Sequence, residues 1–356
     1  MVNNKYTKWF IATLTLFCVG LILLGGFTAL IDPYFHYHAP LDFVKYELKN
    51  ERYQNNGIVK HFDYDAIITG SSMTECFKPS ELDKLFGVNS VKVPFSGGSY
   101  KEVNDNLKVA VEYNPDIKMV VRGLDYNRFF NGKDDVDYTD YPDYLYDDSV
   151  WNDAPYLFNK SILLTAVQNL HGYLATGSNF MSFDMYVNWS NYNTYGKEEV
   201  DKHYAREEIP IVEKKQPITE EEYARMDANI EQNITRLAAE NPDIEFYLYF
   251  TPYSIYYFDY CNRNGELERQ LQAEKYFIEK LLEYENIRLF SFYTEYDMIC
   301  DLNNYKDIAH HRGEVNSRIL EWMQAGEYEL TADNYEEYCT REWDFYMNYE
   351  YDALFQ

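Results

Sequence analysis

The chain has 356 residues, and 59 acidic side chains against 32 basic ones leave it a formal net charge of −27 at pH 7. No run of Lys or Arg offsets this, which argues against nucleic acid or an anionic membrane surface as a partner, since both need a basic face. Hydrophobic residues make up 46% of the chain, enough for the core of one large α/β domain with insertions or of two smaller domains.

Trp9 to Ile31 carries no charge and is long enough to span a bilayer as a helix. Lys5 and Lys8 precede it and Asp32 follows, so residues 1–8 are expected in the cytoplasm and the remainder outside. No A-x-A site closes the run, which favours an uncleaved signal anchor over a cleaved signal peptide. Residues 32–60 read as a juxtamembrane segment, in which His36 and His38 alternate with Tyr and lack further metal-ligand partners nearby.

An α/β pattern then begins. Strands are predicted at Ala66–Thr69, Ser90–Phe95 and Met119–Leu124, with helices at Ser80–Phe86 and Tyr100–Tyr113 between them. The pattern breaks at Asn131. Residues 133–153 are rich in Asp and Tyr, but no Gly-x5-Glu of a calcium loop follows, so a solvated acidic loop is the simpler reading of Asp134, Asp135, Asp137, Asp140, Asp143, Asp147 and Asp148. An amphipathic helix is expected over Ala154–Thr176. Residues 131–217 as a whole read as one insertion, a lid or side wall over the sheet. The pattern resumes with a helix over residues 219–241, opened by Thr219 and Glu222 at capping-box spacing. Strands at Glu245–Phe250 and Ile287–Phe290 flank a helix at Glu266–Glu283, and a helix at Gly313–Gln324 closes the domain. Residues 327–356 form an acidic, aromatic tail. The five Cys have no C-x-x-C spacing, so no zinc or redox motif is encoded. Neither a metal nor a cofactor is called for.

Two stretches carry chemistry. Ala66–Thr69 ends in Gly70-Ser71-Ser72, placing a serine where a buried strand stops and ligands bind in open α/β sheets. Near the other end, Asp307-Ile308-Ala309-His310 puts an acid three residues before a histidine, so that Asp307 can orient His310 as a general base for a hydroxyl. Ser72 is the candidate nucleophile and Ser71 the runner-up. Backbone N–H groups of Ser72 and of Gly97 or Gly98 can donate to an oxyanion. Tyr253, after a strand end, is a candidate for the pocket wall.

In these blocks and their order the sequence resembles the SGNH (GDSL-like) hydrolase superfamily. Gly70-Ser71-Ser72 looks like its first block, Gly97 or Gly98 like its second-block glycine, and Asp307 with His310 like its last. The resemblance covers about residues 64–127 and 245–320. It implies a three-layer α/β sandwich around a parallel sheet of about five strands. The family's third block, Gly-x-Asn, is here Gly123-Leu124-Asp125-Tyr126-Asn127. An ionised Asp125 accepts hydrogen bonds and repels an oxyanion. Either Asn127 donates from a shifted register, or backbone amides suffice, or the chain is no longer an efficient hydrolase. The anchored architecture is similar to an envelope subgroup that includes the D-alanyl transfer protein of teichoic-acid modification and partners of membrane-bound O-acyltransferases. That resemblance implies a serine esterase or O-acyltransferase acting on acetyl or D-alanyl type esters of a cell-surface polysaccharide or teichoic-acid-like polymer. The alternative is a catalytically degenerate domain that binds a glycopolymer or an acyltransferase partner.

Overall fold

The computed structural model describes residues 4–138, 141–147, 149–212 and 217–356. Asp140 and Asp148 of the acidic stretch, the first three residues and residues 213–216 of the expected insertion lie outside these. The chain divides into two compact units, Met1–Phe62 with Asp140–Ser182, and Asp63–Thr139 with Phe183–Gln356. The stretch read as one insertion is therefore shared between them, and the juxtamembrane segment belongs to the first.

The N-terminal unit begins with a helix, Asn4–Ile31. Its most apolar 18-residue window has a mean hydropathy of 2.4, and the span Lys5–Ile31 is long and apolar enough to cross a membrane. At its end the chain turns back around Asp32, whose buried carboxylate accepts the backbone N–H groups of His36 (3.0 Å), Tyr37 (2.7 Å) and His38 (3.1 Å). The Tyr156 hydroxyl, from the second segment of the unit, donates to the same carboxylate. His36 faces Asp153 at 3.2 Å, so its partner is a carboxylate. The helix expected over 154–176 is two helices, Ala154–Leu157 and Lys160–Thr176. Asn159 divides them because its side chain accepts the N–H groups of Ser161 and Ile162, which makes it an N-cap.

The second unit is built on a sheet of β1 (Ala66–Gly70), β2 (Ser90–Pro94), β3 (Met119–Leu124), β4 (Glu245–Phe250), β5 (Ile287–Ser291) and β6 (Glu329–Leu330). Their order is β2-β1-β3-β4-β5-β6, the first five parallel and β6 antiparallel to β5. The sheet thus has six strands where the sequence suggested about five. The sixth is two residues of the tail, too short to show an alternation. From β1 the chain moves outward to β2 and then crosses to β3 on the other side. The carboxyl ends of β1 and β3 therefore flank a topological switch point, where such sheets open a crevice.

Strands β1, β2 and β3 are buried along their whole length, β1 and β3 as interior parallel strands and β2 at the edge of the sheet. Two cations are buried with them. Lys92 of β2 donates to the carbonyls of Glu75 and Phe77, filling acceptors in the turn after β1. Arg122 of β3 donates to the carbonyls of Asn233 (2.7 Å) and Tyr100 (3.0 Å), and burial pulls its pKa down to about 10. Asn233 lies in a π-turn, Glu231–Thr235, that interrupts the helix expected over 219–241. Such a bulge shifts the helical ladder by one residue, and here a carbonyl within it meets a buried guanidinium.

After β6 the tail forms a helix, Tyr335–Met347. Its Glu342 lies beside Glu274 of the helix Leu267–Leu281, and both carboxyl groups are buried. Tyr338 (2.8 Å) and Ser291 (3.1 Å) donate to Glu274 Oε1. Burial raises both acids, and the Glu274 charge raises Glu342 further, so the pair keeps a shared proton above the ordinary glutamate range. A folded pKa above the unfolded one adds stability that is complete below the ordinary glutamate range and lost as pH rises through the folded value. The melting temperature of the full chain should therefore fall as pH rises above that range. Glu342→Gln, which supplies a permanent donor, should flatten the slope in scanning calorimetry; an equally steep slope would contradict the shared proton.

Candidate active site

The site is built from the loops that follow β1, β2, β3 and β4 and from the loop before the helix Gly313–Ala325. β1 ends at Gly70 with φ +148°, and a Cβ there would come within 2.6 Å of Thr74 Cγ2, so only glycine fits the turn. Ser71 then caps a single 3-10 turn, Ser72–Thr74. The Ser71 hydroxyl is buried; it accepts the Met73 N–H (3.3 Å) and donates to Asp125 Oδ1 (2.9 Å). Of the two serines, Ser71 is thus spent in holding the turn. Ser72, half-buried, places its Oγ 2.8 Å from His310 Nε2.

His310 Nδ1 lies 2.8 Å and 3.1 Å from the two oxygens of Asp307. That contact places the ring proton on Nδ1 and leaves the Nε2 lone pair for the Ser72 hydroxyl. Asp307 Oδ1 also accepts the N–H groups of Ala309 (2.9 Å) and His310 (2.7 Å). Burial pushes the Asp307 carboxyl up, but the His310 hydrogen bond and charge and the two amides outweigh it, holding the group at about 2. Its ion-pair contribution to stability is therefore present above the ordinary aspartate range and lost only as pH falls through about 2. The neighbouring His311 behaves differently. It is fully buried, bridges to Tyr305, and is pushed down to about 4 by burial.

Cross-links hold the late loop against the strand ends. Ser254 donates its N–H (3.0 Å) and hydroxyl (2.8 Å) to the Ile308 carbonyl, and Tyr305 donates to the Pro252 carbonyl (3.3 Å). Buried Asn316 donates to the Met73 carbonyl at 3.1 Å, tying the closing helix to the Ser72 turn.

Asp125 is buried below the turn. Its Oδ1 accepts hydroxyls from Ser71 (2.9 Å), Thr251 (3.3 Å) and Tyr253 (3.3 Å), so it braces the ends of β1, β3 and β4. Burial raises its pKa against the opposing pull of the Ser71 hydroxyl and of Arg128, whose Nε is 3.8 Å away. Asn127 is the exposed residue of the third block. Its Oδ1, 3.2 Å from Tyr253 OH, shares that hydroxyl's one proton with Asp125, and its NH2 has no protein acceptor among the described residues.

The two glycines after β2 differ. Gly98 donates its N–H to the Phe95 carbonyl at 2.7 Å and so is spent inside the turn. Gly97, at φ +64°, has a backbone N–H with no acceptor among the described residues, and its carbonyl is held by Arg128 Nη2 at 2.8 Å. The Ser72 N–H is likewise free. Unspent donors near the serine are therefore Ser72 N–H, Gly97 N–H and Asn127 Nδ2, and not Gly98.

Sequence reasoning missed Trp189. Its ring meets His310 edge to face, with centroids 5.7 Å apart. Asn188 positions it by donating to the carbonyls of Asp184 (3.0 Å) and Cys76 (3.5 Å), and Asp184 in turn accepts the Ser80 N–H at 3.0 Å. No period or motif in residues 177–215 signals this, because the anchors to Cys76 and Ser80 are side chains reaching backbone groups more than 100 positions away.

Asp125→Ala should leave the Ser71 and Thr251 hydroxyls without their acceptor, while Tyr253 keeps Asn127 Oδ1, and should destabilise the unit by about 2 kcal/mol or more, as read from urea unfolding. Asp125→Asn, which keeps one oxygen, should cost less. Equal and small losses would mean that Asp125 is no brace.

No protein-family model matches the chain. No curated protein matches it either. Among solved structures, one from Streptococcus pneumonia, provisionally described as a platelet activating factor, aligns over 77% of this chain and 89% of its own at 11% identity and a TM-score of 0.38. A likeness this loose carries no weight for fold or chemistry beside the distances above.

Proposed function

We propose that this chain is a serine esterase or O-acyltransferase whose α/β sandwich of SGNH type stands outside the cell on one N-terminal anchor. Its substrates are acetyl or D-alanyl type esters of a cell-surface glycopolymer such as a teichoic-acid-like polymer, and a membrane-bound O-acyltransferase is the partner that supplies or receives the acyl group. The observation that carries the reading is the 2.8 Å approach of Ser72 Oγ to His310 Nε2, with Asp307 on the far side of the ring.

In this reading Ser72 Oγ attacks the acyl carbonyl as its proton passes to His310 Nε2. Asp307 keeps the imidazole in the required tautomer and stabilises the imidazolium. The carbonyl oxygen becomes an oxyanion and is met by the N–H groups of Ser72 and Gly97 and by Asn127 Nδ2. The C–O bond to the alcohol then breaks, and the alcohol leaves with the proton from His310. Water or a sugar hydroxyl attacks the acyl-serine, gives its proton to His310, and releases acid or a new ester while Ser72 recovers its proton. Asp125 in place of the family Asn is accommodated because Asn127 supplies the side-chain donor and hydroxyls occupy Asp125 Oδ1.

Treating the full chain in detergent with a fluorophosphonate probe tests this. Wild type should label, Ser71→Ala should still label, and Ser72→Ala and His310→Ala should not. Asp307→Asn should slow labelling by about 10³–10⁴-fold. A folded wild type that stays unlabelled would favour a domain that binds a glycopolymer or a partner without covalent chemistry.

A further inference from the structure

We propose that Lys306 and Trp189 form an anion subsite beside Ser72 and His310, so that the ester used here carries a phosphate or carboxylate near its reacting carbonyl. That the ligand is an ester rests on the reading above; the anion site does not. Lys306 Nζ sits 3.9 Å from the centre of the Trp189 ring, and the same indole contacts His310. The Lys306 N–H donates to the His310 carbonyl (3.0 Å), so ammonium and imidazole leave one short loop together. In a chain with 59 acidic residues, lysines such as Lys78, Lys101 and Lys197 find carboxylates. Lys306 has none within ion-pair distance among the described residues, and its ammonium meets no hydrogen-bond acceptor there. An indole face holds a cation without neutralising it or using its three N–H donors. The result is a positioned positive charge without an ion-pair partner among the described residues, one indole away from His310, the feature needed to orient an anionic ester in a strongly acidic protein.

The test compares acetyl esters of glycerol and of glycerol phosphate as substrates, and glycerol phosphate, lactate and glycerol as ligands in calorimetric titration of the full chain. Wild type should favour the charged ester about tenfold or more in kcat/KM, mainly through KM. Lys306→Gln should abolish that preference and the binding of charged ligands, while Lys306→Arg should retain most of both. Tighter binding of glycerol phosphate assigns the site to phosphate, and tighter binding of lactate assigns it to carboxylate. Equal use of both esters, or unchanged anion binding in Lys306→Gln, overturns the inference and leaves the serine reading intact. Lys306-dependent anion binding in a protein that turns over neither ester would support the subsite and sink the serine reading.

In the N-terminal unit the helix Lys160–Thr176 is inside out. Its inner face holds Ile162, Ala166 and Asn169, while Leu164, Val167 and Leu174 are 50%, 47% and 74% exposed. Trp151, at 94%, and Phe158 are exposed just before it. Phe158 packs on the N-terminal helix at Gly25, where a Cβ would meet its ring at 3.2 Å. Gly25 lies six residues before Ile31, about 9 Å below the end of that helix. We infer that residues 154–176 lie in the interfacial layer of the bilayer, against the anchor, with the outer apolar face in lipid. The occupant is lipid because Phe158 joins this surface to a helix that is long and apolar enough to cross a bilayer. The full chain with Cys18→Ser and Leu164→Cys, labelled with an environment-sensitive fluorophore and reconstituted in phosphatidylcholine vesicles, tests this over the background without Leu164→Cys. Quenching by doxyl lipid and protection from iodide are expected. Quenching by iodide alone would place the helix in water and overturn the inference.

Discussion

The buried carboxylate of Asp125 is the constraint around which the site is arranged. A carboxylate this deep is costly unless hydrogen bonds replace its water. Here the replacements come from three other places in the chain: Ser71 at the end of β1, and Thr251 and Tyr253 at the end of β4. The Asp125 carbonyl is held too, by Tyr100 OH at 2.7 Å. Satisfying one acid thus sets the spacing of neighbouring strand ends. It also decides between the serines. Because Ser71 is drawn down to Asp125, the next residue is left at the rim, where its hydroxyl reaches His310.

Bringing that histidine to the rim is a separate task. Ser72 and His310 are 238 positions apart. Ser254, Tyr305 and Asn316 hold the late loop by bonds to backbone carbonyls. Placing hydroxyl, base and donors before the ligand arrives is what lets such a site act without reorganising.

Charge is distributed against the average of the chain. Beneath and beside the turn lie Lys92 and Arg122, both buried, then Arg128, which holds the Gly97 carbonyl, and Lys306 on its indole. Each of the first three is spent on carbonyls or carboxylates that shape the loops. Only at Lys306, among these four, is the charge met by a ring alone. In a protein of net charge −27 this local positive feature stands against the surrounding field.

What the sequence by itself determined was local. Apolar runs located the five parallel strands, with ends within a residue or so, because buried parallel strands are continuous hydrophobic segments. An uncharged run marked the N-terminal helix, Thr219 and Glu222 marked a helix start, and the spacing of Gly70-Ser71-Ser72 and Asp307-x-x-His310 named the residues that the structure brings together. The rest depended on long-range partners. Only the tertiary structure shows which glycine keeps a free amide, because Phe95 decides the fate of Gly98 and Arg128 that of Gly97. Nothing local distinguishes the braced Asp125 from an ordinary loop acid, or Trp189 from the other aromatics of its stretch. The π-turn at 231–235 and the two-residue β6 escaped for the same reason: each is too short to impose a period and is stabilised by a buried guanidinium or a neighbouring strand that the linear sequence does not reveal. The break at Asn159 is different, a local cap on Ser161 and Ile162 inside a continuous apolar pattern.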